Sequence, residues 1–290
     1  MSGKIIDGTK IAGEIEKELG QEVEILKQNG LVPHVAVIFA GENEASEVYV
    51  RNKRKKGENL GIESELFRFP KDVSQEKVED LIQNLNKDEK VHGILVQLPL
   101  PEHINKSRIA SLIDPRKDVD CFHPENVGKN TIGGMDASMI PVTASGILKL
   151  LEFSGVSVEG KKAVVVGRSN VVGKPTAILL MNAGATVTVC NSKTKNLKEE
   201  CLLADILVVA AGRAGLVTAD MVKEGAVVID VGINKLPGGK LVGDTDFEKV
   251  KEKASLISPV PGGVGPMTII MLMRNVIEAA KNFSEKKHAD

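Results

Sequence analysis

Short apolar runs rich in β-branched residues alternate with helix-length amphipathic stretches along nearly all 290 residues, and this alternation constrains the fold more than any other feature. Ile11, Ile15, Leu19, Val23 and Leu26 fall at helical spacing before the stop signal Asn29-Gly30. HVAVIFAG (34–41) reads as a buried strand, and a helix is expected from about 45 to 59, closed by Gly61. A strand over 64–70, a helix over 74–86 and a strand over 91–101 that runs into a proline loop come next. Beyond a loop-rich stretch (114–141) a helix is expected over 143–155. A second series follows, with strands from KKAVVVG and within 185–191, 204–212, 225–233 and 256–260, then an apolar helix over 267–283. Such spacing predicts parallel sheets with helices on their faces. The expectation is an α/β chain of two domains, 1–140 plus 266–290 and 141–265, with the ligand site in the cleft between them.

Composition narrows the function. A formal net charge of -1 gives no global field to attract nucleic acid or an anionic membrane, and with no Trp and one Tyr a base-stacking surface is disfavoured. Cys121, Cys190 and Cys201 are odd in number and widely spaced, which argues against a disulfide framework or a zinc site. Reduced thiols, the absence of a leader-like N-terminus and the absence of a membrane-length apolar run make the cytoplasm the expected compartment.

VVVGRSNVVGKP (164–175) has the order strand, glycine turn, helix of a dinucleotide-binding unit. Gly167 would let the backbone close on a pyrophosphate, Gly173 would allow tight helix packing, and Pro175 fits a first turn. The spacing is not G-x-G-x-x-G, so an ordinary βα turn stays open. The next strand ends in Asn191-Ser192-Lys193-Thr194 without the acid that holds a ribose diol, and Arg168 follows the glycine. A guanidinium beside a hydroxyl suits a 2′-phosphate, hence NADP.

In the first half, Ser46, Tyr49, Lys53 and Lys56 fall on one face of an expected helix. The cationic neighbours of Lys53, together with burial, would favour its neutral form and suit it to proton transfer. A solvated basic face or a nucleic-acid patch are the other readings of RNKRKK. Gln97 ends a strand, where open α/β sheets bind ligands. Asp114, Asp118 and Asp120 could cap turns or hold a hard cation, and His123 could be a base or ligand. SPVPGGVGPMT (258–268) suits a loop lying against a flat ligand or a rigid connector.

Taken in order, S-x-x-YV-x-x-K-x-K (46–55), GILVQLPLP (93–101), KDVD-x-FHP-x-N-x-G (117–128), VVGRS-x-x-VG-x-P (165–175) and PVPGGVGPMT (259–268) resemble the tetrahydrofolate dehydrogenase/cyclohydrolase family of the bacterial FolD type. The resemblance spans most of the chain. It implies an N-terminal α/β folate-binding catalytic domain and a Rossmann-type NADP-binding domain. The implied enzyme oxidises 5,10-methylenetetrahydrofolate with NADP and hydrolyses the methenyl product to 10-formyltetrahydrofolate, without a metal. It implies Lys53 as the proton-transfer group, Tyr49 packed beside the folate, Gln97 bonded to the lysine, and Asp120 anchoring the pterin. Leu98, Pro99, Pro261 and Gly262 are further implied substrate contacts, and Gly167, Arg168, Ser169, Gly173, Ser192 and Ile233 implied cofactor contacts. A homodimer and a role in one-carbon supply to purine biosynthesis are also implied.

Three positions depart from the family pattern. Cys121 replaces the glycine of DVDGFHP, which at positive φ would cost about 1 kcal/mol. Residues 141–146 read PVTASG instead of PCTPxG, and Asn191 replaces the histidine of HSxT. The alternatives are a monofunctional dehydrogenase of the same fold, another two-domain NAD(P) dehydrogenase, and a non-enzymatic nucleotide-binding regulator.

Overall fold

A computed structural model describes residues 3–133 and 137–287, with the side chains of 44, 45 and 285–287 excluded. Residues 134–136 of the expected 114–141 loop lie outside the described residues. The first half of the chain runs β1 (Lys4–Ile5), α1 (Gly8–Gln28), β2 (His34–Ala40), α2 (Glu44–Leu60), β3 (Glu63–Phe69), α3 (Gln75–Lys87), β4 (Gly93–Val96), α4 (Lys106–Leu112) and α5 (Pro124–Ile132). The second half runs α6 (Val142–Phe153), β5 (Lys162–Val166), α7 (Gly173–Asn182), β6 (Thr186–Cys190), α8 (Leu197–Leu202), β7 (Ile206–Val209) and β8 (Val227–Asp230). It ends with β9 (Asn234–Lys235), β10 (Leu241–Val242), α9 (Phe247–Lys253), β11 (Leu256–Ile257) and α10 (Val264–Lys287). The chain divides into two compact units: 14–142 with the chain from 269 onward, and the chain up to 13 with 143–268.

In the first unit β2 lies between β3 and β4, all parallel. Val35 to Ala40 are buried, as a central strand covered on both faces requires. Val78, Ile82 and Leu85 line the buried face of α3 and pack on Ala36, Ile38 and Ile94. Ser74 caps that helix by accepting from Lys77 N, and Gly61 ends α2 at φ 77.

In the second unit six parallel strands run β1-β11-β8-β7-β5-β6 among the described residues. Val164, Val166, Leu207, Val209 and Val228 form the heart of its core. By proximity residues 3–13 group with the second unit, whereas the domain limits expected from sequence group them with the first. Lys4 and Ile5 pair in parallel with Leu256 and Ile257, extending the second sheet by a strand too short to announce itself. The expected strand over 256–260 stops at Ile257, and Ser258 Oγ there accepts from Asp230 N at 2.8 Å. Helix α5 interrupts the expected 114–141 loop, started by a His123 cap and Pro124 in its first turn.

Candidate functional site

Lys53 and Gln97 meet in the first unit. Lys53 lies on the inner face of α2 and is 8% exposed, and its Nζ donates to Gln97 Oε1 at 3.1 Å. Gln97 follows β4 and is oriented in turn by donating Nε2 to Leu98 O at 2.7 Å. The buried Ser46 hydroxyl donates to the same carbonyl at 3.4 Å, so one face of α2 is tied to the Gln97-Leu98-Pro99 turn. Leu98 is half-buried and Pro99 exposed. Tyr49 is half-buried on that face, and burial pushes its phenol above the ordinary range.

The basic run around Lys53 does not converge on it. Arg54 pairs with Glu58 at 3.6 Å, Lys56 with Glu16 at 2.7 Å, and Arg51 and Lys55 are exposed. Lys53 is therefore set apart by burial and by Gln97, not by crowding from its sequence neighbours. Its nearby partner in charge is Asp120. Dense packing around that carboxyl pushes its pKa from near 3.8 to about 6, Lys53 pulls it down and Asp118 pushes it up.

The loop carrying Asp120 is held by buried polar groups bonded to backbone and to one another. Asp118, 1% exposed, accepts from Phe122 N (3.1 Å), His123 N (2.7 Å) and Asn126 Nδ2 (2.9 Å). Lys117 Nζ is committed to Leu85 O and Asp88 O at the end of α3. His123 Nδ1 accepts from Glu125 N as the cap of α5, and Asp114 pairs with Arg116. Asn275, passed over in the sequence reading, donates to Val119 O and Ile140 O at 2.8 Å each. A buried Asn inside the apolar stretch IIMLMRNVIEAA was the available signal, since such a group demands partners.

Cys121 is the sole non-glycine residue at positive φ (63) among the described residues, as its glycine-like position foretold. Its side chain is 1% exposed, and its thiol contacts Met139 O and receives Asn130 Nδ2, both at 3.4 Å. Burial, with Asp118 and Asp120, pushes that thiol far above its ordinary value. Cys121 thus acts as inert packing beneath the loop.

In the second unit Gly167 follows β5 at φ 133, and a Cβ there would lie 2.1 Å from Ala210 O. A Cβ on Gly173 would lie 2.1 Å from Gly167 O. Both positions exclude side chains, so α7 starts hard against the turn that leaves β5. Ser169 Oγ accepts from Val172 N (3.1 Å) and Gly173 N (3.3 Å), fixing the turn's shape. β5 is followed in sequence by β6 on one side and lies beside β7 on the other, the reversal of order at which such sheets bind dinucleotides. Arg168 and Ser192 are exposed, and Ile233 is 47% exposed. Asn191 Oδ1 accepts from Lys193 N and Thr194 Oγ1 from Asn191 N, both at 2.9 Å, which orders the loop bearing Ser192. Pro261 and Gly262 belong to this unit, and Gly262 O accepts from Thr9 N at 3.1 Å.

Residues 6–120 match the tetrahydrofolate dehydrogenase/cyclohydrolase catalytic domain, and residues 141–284 match the NAD(P)-binding domain of the same proteins. The chain belongs to the tetrahydrofolate dehydrogenase/cyclohydrolase family. It is 54% identical to the bifunctional protein FolD of Moorella thermoacetica, over 97% of this chain and 100% of that one. The bifunctional FolD structure from Campylobacter jejuni superposes with a TM-score of 0.95 at 48% identity, covering 97% of this chain and 99% of that one. The Trypanosoma brucei enzyme, complexed with NADP cofactor and inhibitor, gives 0.93 at 42% identity over 97% and 98%. The protein is a bifunctional methylenetetrahydrofolate dehydrogenase and methenyltetrahydrofolate cyclohydrolase, with NADP as cofactor. No described helix is long and apolar enough to cross a membrane.

Proposed function

We propose that Lys53, Gln97, Tyr49 and Asp120 carry the folate chemistry of this enzyme, and that Arg168 and Ser192 select NADP over NAD. The observation that carries the first assignment is the 3.1 Å bond from buried Lys53 to Gln97, with Asp120 near enough to feel its charge. Hydrolysis of 5,10-methenyltetrahydrofolate requires a proton to leave the water that adds to the methenyl carbon and another to reach the departing ring nitrogen. Lys53 Nζ, held by an acceptor that cannot ionise, is placed to move both. Asp120, as a carboxylate, accepts from the amino-pyrimidine edge of the pterin, and Tyr49 flanks it. The leucine and proline that follow Gln97 complete the folate contacts that this unit offers. Bound NADP supplies the hydride acceptor. The glycine turn after β5 stands at the reversal of strand order and is packed tightly at Gly167 and Gly173, which supports a pyrophosphate site there. Product analysis with 5,10-methylenetetrahydrofolate and NADP tests the whole: 10-formyltetrahydrofolate with NADPH is expected, and accumulating methenyl product would leave a monofunctional dehydrogenase.

Arg168→Ala is expected to raise the NADP Michaelis constant by about tenfold or more, the scale of a lost charge-assisted hydrogen bond, and to change that for NAD about twofold at most. Equal effects on both cofactors would remove Arg168 from the 2′-phosphate.

The Asp120 assignment predicts a pH dependence. Its folded pKa of about 6 lies above the free value, so this group favours the folded state at low pH. That contribution is full below about pH 4 and is lost as pH rises through about 6, where the packed carboxyl must ionise. Relative to Asp120→Asn, the wild-type melting temperature is expected to fall between pH 4 and pH 7, whereas folate affinity improves as the carboxylate forms. Parallel melting curves across that range would show that Asp120 ionises as freely in the fold as outside it.

The same reading includes a homodimer formed through the second unit, where β6 is an edge strand with Val189 40% exposed. A monomer mass by light scattering at micromolar concentration would overturn it. A cytoplasmic location and one-carbon supply for purine biosynthesis complete the proposal; growth without added purines after loss of the protein, in cells with no second source of 10-formyltetrahydrofolate, would contradict that role.

A further inference from the structure

Two carboxylates outside the site described above are buried together at the carboxyl end of the second sheet. Asp230 ends β8 and is 1% exposed; Asp244 follows β10 and is fully buried. Asp230 Oδ1 accepts from Gly232 N (3.1 Å) and Asp244 N (2.9 Å), and its Oδ2 accepts from Thr245 N (2.9 Å) and Thr245 Oγ1 (2.7 Å). Asp244 Oδ2 accepts from Ala211 N (2.7 Å) and Gly212 N (2.8 Å), and its Oδ1 from Arg213 N (2.8 Å) and Asn234 Nδ2 (2.9 Å). None of these donors is cationic. The backbone has been cleared to reach them: a Cβ on Gly243 would lie 2.0 Å from Asp230 Oδ2, and one on Gly232 would lie 2.1 Å from Asp244 Cγ.

Burying two carboxylates without a cation is an expensive way to hold a loop, and an apolar plug of similar volume would serve stability as well or better. What the carboxylates offer is directional control of several backbone N–H groups at once. Three of those groups, in Ala211, Gly212 and Arg213, belong to the turn that leaves β7. That turn is the neighbour of the phosphate-binding turn, since Ala210 N donates to Val166 O at 2.8 Å and Ala210 O occupies the space a Gly167 side chain would need. Any drift of residues 210–213 would close on Gly167 or withdraw from it.

We propose that Asp244 is a positioning residue for the dinucleotide: its carboxylate fixes the 211–213 backbone against the Gly167 turn, and Asp230 in turn fixes Asp244. Neither carboxylate touches the cofactor. The inference rests on the NADP site assigned to Gly167 and Arg168, and it adds a second layer that no glycine-turn signature contains.

Asp244→Asn preserves size but replaces one acceptor oxygen with a donor that must face an N–H. The NADP Michaelis constant is expected to rise by about tenfold, while methenyl hydrolysis, measured without NADP, stays within about twofold of wild type. Asp205→Asn is the control for mere destabilisation of the same sheet. Asp205 holds Lys162 N (2.9 Å) and Lys223 (2.6 Å) at the opposite, amino end of the strands, so it should lower the melting temperature without moving the NADP constant. Asn234→Ala, which removes one of the four donors to Asp244, is expected to raise the constant about threefold, and it decides the matter should Asp244→Asn not accumulate as folded protein. An unchanged NADP constant in the folded variant, or loss of both activities in step with the folded fraction, would overturn the proposal. Arg168→Ala run alongside separates the two levels: if it also leaves NADP binding unchanged, the site assignment itself fails.

Discussion

Lys53→Met is expected to lower methenyltetrahydrofolate hydrolysis by about 10²–10⁴-fold, the range that a positioned proton-transfer group supplies, and to leave the protein folded. Methionine keeps the length and most of the volume of the lysine stem, so the buried face of α2 stays filled. What disappears is the amine that α2 presents to Gln97, a group that can both take and give a proton. Gln97 Oε1 loses its donor, a cost of about 1 kcal/mol that the fold can bear. The substitution has a second signature. Lys53 holds the Asp120 pKa down, so its removal should carry that carboxyl above about 6 and move the pH dependence of folate affinity in the same direction. Dehydrogenase turnover at saturating folate is expected to suffer less, because hydride transfer depends chiefly on aligning the two ligands. Stopped-flow decay of the methenyl absorbance, corrected for spontaneous hydrolysis, measures the first effect. Near-wild-type hydrolysis in the folded variant would end the assignment of Lys53.

The elements that periodicity could reveal were legible. The buried runs around Ile38, Ile94, Val165 and Val208 are strands, and the stripe of α3 is the one its sequence displays. Glycine and proline carried more than usual: Gly61, Gly167 and Gly173 each stand where a side chain or a negative φ is excluded. Lys53 and Gln97, forty-four positions apart, could be paired from sequence only through the family strings, since nothing local reports a long-range hydrogen bond. Of the two grounds for singling out Lys53, burial holds and crowding by cations does not, because a helix turns Arg51, Arg54 and Lys55 onto other faces. β1 was missed because two residues have no period, and its pairing with β11 depends on a partner more than 250 positions away. Asp244 and Asn275 were missed for a related cause: their work is to satisfy backbone groups brought close only by the fold.

Gly167→Ala is expected to abolish NADP binding at millimolar cofactor while methenyl hydrolysis survives within a few-fold. Two penalties act at one atom. The backbone there has φ 133, outside the regions open to residues with a Cβ, at a cost of about 1–3 kcal/mol. The added methyl would also stand 2.1 Å from Ala210 O, and that carbonyl cannot retreat freely because Asp244 grips the next three residues and Ala210 N is bonded to β5. The turn must give way instead, and with it the start of α7, since Gly173 lies against Gly167 O with no room to spare. Displacing that helix start by even about 1 Å disorganises the turn on which the proposed pyrophosphate site is built. The folate unit has its own core, built on Ile38, Ile82 and Ile94, and Lys53, Gln97 and Asp120 all belong to it. Calorimetric titration with NADP, paired with the hydrolysis assay on the same preparation, reads the two consequences separately. Retained NADP affinity would mean that the turn can relax by another route and that the cradle is not what binds the phosphates; loss of both activities in folded protein would mean that methenyl hydrolysis depends on an intact nucleotide unit.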